Sequence, residues 1–234
     1  MTQEPGQIPL MMRSEDLATW DNWLSRPETA PLEQLLRGQV PEHSVYVWGG
    51  AGMGKSHILQ ACCDAEGLDA RYVPLRDLVD FAPEQVLADA EIARFIAIDD
   101  IDCVESRTGW QEALFSLFNA SSETGAQLLV TADKAPQQLL KALPDLRSRL
   151  SSLPVFQMPH FTEDHIAELL ALRGAEAGIE LSEDVARYCS LRLPRHPGAV
   201  VSFINQLDQL SLAQRRAVTI PFVRESGLLR QPEG

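Results

Sequence analysis

The stretch Val45-Tyr46-Val47-Trp48-Gly49-Gly50-Ala51-Gly52-Met53-Gly54-Lys55-Ser56 decides the fold. Its last eight residues meet every fixed position of the phosphate-loop pattern G-x-x-x-x-G-K-[ST]. The glycines let the backbone curl so that successive N–H groups aim at phosphate oxygens. Lys55 adds a full positive charge near the terminal phosphates, and the Ser56 hydroxyl suits a magnesium ion. The apolar run at 45–48 reads as a buried strand, and residues 56–63, beginning Ser56-His57-Ile58, continue as a helix. The N-terminus of that helix carries roughly +0.5 charge toward a bound anion. This strand–loop–helix setting separates the motif from a glycine-rich turn that binds nothing.

Outward from the loop, four more apolar runs are candidate strands, at 71–75, 94–99, 127–131 and 154–157. Helical patterns separate them. Trp110, Ala113, Leu114, Leu117 and Phe118 recur at i, i+3 and i+4 spacing. Residues 31–36 read as a short helix leading into the first strand. Strands alternating with helices predict a parallel sheet covered on both faces, an α/β fold. After Met158-Pro159-His160 strand signals stop. Thr162-Glu163-Asp164 and Ser182-Glu183-Asp184 each place a capping hydroxyl before two first-turn acids. Residues 199–212 form a further periodic helix, and Thr219-Ile220-Pro221-Phe222 opens a last one. The expected organisation is a flexible tail at 1–15, an α/β domain at 16–160 and a small helical domain at 161–234.

A chain of 234 residues buries enough surface to fold without staples. The formal charge of −13 argues against wide, unaided binding to nucleic acid, whose affinity comes from Lys and Arg on phosphates. It suits a protein that works on protein partners. Cys62, Cys63, Cys103 and Cys189 form no C-x-x-C pair, so they read as reduced, buried thiols and not a zinc site. No run approaches 18 apolar residues, and no basic-then-apolar leader begins the chain. The expectation is a cytoplasmic protein with no membrane partner.

Three further groups carry chemistry. Phe95-Ile96-Ala97-Ile98-Asp99-Asp100 is an apolar strand ending in two carboxylates. Asp99 is placed to hold magnesium, directly or through water, and Asp100 to orient an attacking water. Asp133, at the exit of the next strand, is placed to sense the terminal phosphate. Leu146-Arg147-Ser148-Arg149-Leu150 offers two arginines near a helix end, the residue type that stabilises charge in phosphoryl transfer. In the N-terminal tail, Gln7, Ile8, Leu10 and Met11 make an extended apolar cluster around Pro9, suited to a partner's groove.

In this order the motifs resemble the AAA+ ATPases, and within them the nucleotide-binding part of the bacterial replication initiator DnaA and its short regulatory homologues. The residues that carry the resemblance are the loop at 49–56 followed by His57, Ile96-Ala97-Ile98-Asp99-Asp100-Ile101, Leu129-Val130-Thr131-Ala132-Asp133, Leu146-Arg147-Ser148-Arg149-Leu150, and Thr219-Ile220-Pro221-Phe222-Val223. It covers nearly the whole chain. The loop and acidic strand mark only the superfamily; the Ser-Arg-Leu box and the Thr-Ile-Pro-Phe-Val end are narrower.

The resemblance implies an αβα domain with a helical lid, and ADP or ATP with Mg2+ in the crevice between them. It makes Arg149 an arginine finger acting in trans. It makes Gln7, Ile8, Leu10 and Met11 similar to peptides that dock on the β sliding clamp of DNA polymerase III. The implied activity is negative regulation of replication initiation: the protein, on clamp and reaching DNA through it, promotes ATP hydrolysis by DnaA. Its own hydrolysis is expected to be weak, and a homo-dimer or larger oligomer stays open. The family places a sensor arginine early in the third lid helix, where this chain has Gly198, with Arg195 three residues earlier as the candidate replacement. The initiator's helix-turn-helix domain has no counterpart before residue 234, which favours a regulator. Two other classes stay open on sequence: a helicase loader of the same superfamily, and a small phosphate-loop kinase acting on a metabolite.

Overall fold

The computed structural model describes residues 18–37 and 44–229. Five parallel strands, β1 (Val45–Trp48), β2 (Ala70–Pro74), β3 (Phe95–Asp99), β4 (Gln127–Ala132) and β5 (Val155–Gln157), form one sheet in the order β2-β3-β4-β1-β5. The helices are α1 (Ala30–Arg37), α2 (Lys55–Glu66), α3 (Leu75–Leu78), α4 (Pro83–Val86), α5 (Thr108–Thr124), α6 (Pro144–Ser152), α7 (Glu163–Glu176), α8 (Glu183–Ser190), α9 (Pro197–Gln214) and α10 (Ile220–Ser226).

Strand alternation sorts the sheet's side chains into two layers. Val45, Val47, Phe95, Ala97 and Leu129 face α1 and α2, packing with Leu32, Leu36, Ile58 and Leu59. Tyr46, Ile96, Ile98, Leu128 and Val130 face the other way, onto Leu114, Leu117 and Phe118 of α5 and Leu146 and Leu150 of α6. Because both faces are covered, β3 and β4 are buried along their whole length. The result is the αβα sandwich expected from the alternating pattern. The apolar runs misplace strand ends by a residue: β2 runs from Ala70 to Pro74, Leu75 opens α3, and Arg94 precedes β3.

The four helices α7 to α10 pack around a separate core of Ile166, Leu170, Cys189, Val200, Leu207 and Val223. Three of them start on a hydroxyl, two of these as expected, while α9 starts at His196 and Pro197 with no side-chain cap. Thr162 accepts from His165 N–H, Ser182 from Val185 N–H and Thr219 from Phe222 N–H. The junction between sandwich and lid is gripped from the N-terminal side. Buried Arg26 donates from one Nη to the carbonyls of Pro159 (3.2 Å) and His160 (3.4 Å), with its guanidinium 4.0 Å from the Phe161 ring centroid. Among the described residues, no helix is long and apolar enough to cross a membrane.

Candidate functional site

The strand order places the site. β1 lies between β4 and β5, so the loop that follows it begins pinned on both sides: Gly49 N–H donates to Ala132 O (3.1 Å), and Met158 N–H donates to Trp48 O (2.7 Å). The chain then curls through Gly52 (φ +74°) and Gly54 (φ +91°), left-handed values that favour glycine. At Gly54 the turn passes over Trp23, which a Cβ would approach to 3.1 Å. Lys55 opens α2, its side chain 5 % exposed. Its ammonium donates to Gly49 O (2.7 Å), Gly50 O (3.1 Å) and Asp133 Oδ1 (2.8 Å). All three N–H donors are therefore engaged.

The acids sit on the two strands beyond. Asp133 leaves β4, the direct neighbour of β1, and so reaches Lys55 first. Its backbone N–H donates to Asp102 Oδ1 (3.2 Å). Burial raises the Asp102 carboxyl above the usual carboxylate range, the Asp133 N–H opposes it, and the charges of Asp133 and Asp100 add to it. Asp99, ending β3, is buried and takes a hydroxyl on each oxygen: Thr131 on Oδ1 and Tyr72 on Oδ2 (2.8 Å). Burial raises the Tyr72 phenol and the Asp99 charge raises it further, so Tyr72 stays a neutral donor. Gln60 of α2 donates to the same phenol oxygen (3.3 Å). Asp100 adopts the left-handed conformation (φ 57°, ψ 50°). Its N–H donates to Thr131 Oγ1 (3.1 Å), and its carboxylate pairs with Arg76 (2.7 Å).

Beside the loop, α2 and α9 bound a cleft of about 550 Å³. His57 and Gln60 line it from the sandwich, Ala18 from the N-terminal segment, and Gly198, Ser202 and Asn205 from the lid. His57 Nε2 lies 3.0 Å from Thr19 O, which holds that segment along α2. Arg173 lines the far end, bonded to Glu176 (3.0 Å), while its buried Nε has no partner among the described residues.

The donor set fits magnesium held mainly by phosphate oxygens. Ser56 is exposed at the loop's end, and each Asp99 oxygen keeps a lone pair for a metal-bound water after accepting one hydroxyl. Among the described residues no three His, Cys, Asp or Glu side chains are gathered for a metal, so water and phosphate would supply the remaining ligands.

The structure thus brings the residues at 49–57, Asp99, Asp100 and Asp133 together at one end of the sheet. Arg149 lies elsewhere, exposed on α6 and bonded to Asn119 Oδ1 (2.9 Å). Arg195 is exposed and paired with Glu163 in the lid. Gln7, Ile8, Leu10 and Met11 lie outside the described residues. Sequence reading missed Tyr72, Gln60 and Arg76. Tyr72 looked like an ordinary strand residue, and only the pairing of β2 with β3 sets it against Asp99.

A family model described as the Hda lid domain matches residues 163–226, and one described as the bacterial DnaA ATPase domain matches residues 84–154. The chain is an Hda/DnaA-like AAA+ protein. Domain III of the Thermotoga maritima replication initiation protein DnaA superposes with a TM-score of 0.76 at 22% identity, over 90% of this chain and 94% of that one. AMPPCP-bound DnaA from Aquifex aeolicus gives 0.71 at 18% identity, over 83% of this chain and 65% of that one. The Thermotoga maritima RuvB Holliday junction branch migration motor gives 0.66 at 15% identity, over 90% and 71%. These likenesses show the fold: this AAA+ protein carries the αβα phosphate-loop sandwich with a C-terminal helical lid.

Proposed function

We propose that this AAA+ protein is a negative regulator of replication initiation that binds an adenine nucleotide and stimulates ATP hydrolysis by DnaA. The observation that carries the reading is the pairing of the two family matches on one chain, a DnaA ATPase region followed by an Hda lid. The AMPPCP in the Aquifex relative supports adenine nucleotide as the ligand of the loop. In this reading the loop N–H groups and Lys55 hold the phosphates, Ser56 and Asp99 hold magnesium, and the base enters the cleft between His57 and α9. Magnesium, when bound, neutralises phosphate charge. Asp133 sets the position of the Lys55 ammonium, and Thr131 and Tyr72 fix the Asp99 carboxylate.

Arg149 acts on the partner and not on this chain's own nucleotide. Its exposure on α6 suits a finger offered in trans, where such a group is worth on the order of 10³–10⁵ in rate. The N-terminal residues Gln7, Ile8, Leu10 and Met11 dock on the β sliding clamp, which brings the protein to DNA. The test is clamp pull-down followed by DnaA ATP hydrolysis with and without clamp on DNA. Arg149→Ala should keep clamp and nucleotide binding while losing stimulation by at least about 10³-fold. Full stimulation by that variant removes the finger, and no stimulation by wild type removes the regulator.

A further inference from the structure

The cations of this chain are unevenly answered. In the sandwich six of them pair with a carboxylate, among them Lys55 with Asp133, Arg76 with Asp100 and Arg107 with Asp80. The second half of the lid differs. Residues 185–229 hold six arginines, no lysine and two acids, Asp208 and Glu225, in a chain whose formal charge is −13. Arg195 pairs with Glu163 and Arg216 with Glu225. Arg187, Arg192, Arg215 and Arg224 have no carboxylate partner among the described residues.

Two of these unanswered arginines are held together. Arg192, just past α8, and Arg224, on α10, both stand over the Tyr188 ring, their guanidinium carbons 3.8 and 5.2 Å from its centroid. A hydrogen bond fixes each one. Arg192 Nη1 donates to Tyr188 O (3.0 Å), and Arg224 Nε donates to the Tyr188 hydroxyl (3.2 Å). The ring offsets part of the repulsion between the two cations. No carboxylate offsets the rest. Both Nη groups of Arg224 and the Nη2 of Arg192 remain without a protein partner among the described residues. Arg187 adds an exposed charge on α8, one residue before Tyr188. Arg216, paired with Glu225 and 5.3 Å from the Phe222 ring centroid, links α10 to the turn after α9.

A guanidinium offers parallel donors that match two oxygens of one phosphate. Here two are already fixed in place, so little side-chain freedom is left to lose on binding. The charges spread over three elements along a surface and are not gathered in a pocket, which suits a row of phosphates better than one small anion.

We propose that this lid surface contacts the phosphate backbone of duplex DNA without reading its sequence. The inference deepens the reading above and takes from it only that the protein works on DNA. The surface is narrow and the rest of the chain repels DNA. The contact is therefore weak in free solution and becomes effective where a second attachment holds DNA close, as the clamp would.

The test is the anisotropy of a short labelled duplex, titrated with protein over a salt series, and then binding to clamp with and without DNA through it. Each phosphate contact adds about 0.9 to the slope of log K against log salt. A variant carrying Arg192→Gln and Arg224→Gln should lose about 2 from that slope and most of the duplex affinity at low salt. It should bind clamp alone as wild type does, and lose the gain that DNA adds. Melting curves and ADP binding check its fold. Arg187→Glu, which leaves the Tyr188 stack untouched, should also weaken the duplex. Two duplexes of unrelated sequence should bind alike. Wild-type duplex binding by folded variants overturns the proposal, as does a wild type that neither binds duplex at low salt nor gains from DNA on the clamp. Capture of polyglutamate but not of duplex moves the surface to an acidic protein partner and overturns it too. Duplex binding without any clamp binding removes the clamp from the proposed function and leaves this contact standing.

Discussion

Lys55 enters the site already satisfied, by two loop carbonyls and by Asp133. A phosphate must therefore exchange with one of these partners, and the partly exposed Asp133 carboxylate is the one free to move. Asp133→Asn keeps the shape but leaves a buried ammonium with neutral acceptors. It should cost the nucleotide-free protein about 1–3 kcal/mol, with most of that loss disappearing in saturating ADP. Denaturant titrations in both states measure it; an equal loss in each means the phosphate does not take over from Asp133. At this scale the sequence was readable where chemistry is local. The loop and the carboxylates at 99, 100 and 133 announce themselves by type and position. Tyr72 does not, because it acquires its role from a neighbour far along the chain, Asp99, 27 positions on.

The elements were legible in proportion to their length and burial. The strands are continuous apolar runs because helices cover both faces, and the long α5 shows its buried stripe at Trp110, Leu114, Leu117 and Phe118. The single turns α3 and α4 are too short for any period to show, and nothing in the pattern between 75 and 92 predicted them. Two lid-helix starts were readable from their hydroxyls, Thr162 and Ser182, and the last from its first-turn Pro221; that last start also proves to be hydroxyl-capped. Thr219 Oγ1 accepts from Phe222 N–H (3.3 Å) at the head of a seven-residue helix whose Phe222 and Val223 are both buried in the lid core. Thr219→Ala should destabilise the protein by about 1 kcal/mol. Thermal unfolding against wild type measures this, and an unchanged midpoint would mean that packing alone sets the start of α10.

At the scale of the molecule, the cleft lies between the core on the α2 face of the sandwich and the separately packed core of the lid. A ligand held there touches both, and one that binds only the folded state stabilises the whole. At 100 times its Kd, ADP should add about 2.7 kcal/mol, or roughly 5–10 °C in melting temperature for a chain of this size. Lys55→Ala should abolish the shift. Coincident wild-type melting curves with and without ADP would rule out the loop as a working nucleotide site.

The strand order has a consequence for biosynthesis. Val45 pairs with Leu129, and the other edge of β1 pairs with Val155 to Gln157. Among the described strands, the one that carries the loop is made first, yet its two neighbours are the last two to be made. A growing chain on the ribosome therefore holds the whole motif through roughly 75 residues of synthesis before β4 is complete beside it, and roughly 100 before β5 is. A chain ending before Gln157 should therefore carry the signature and bind no nucleotide, and retained ADP binding by such a truncation would contradict this.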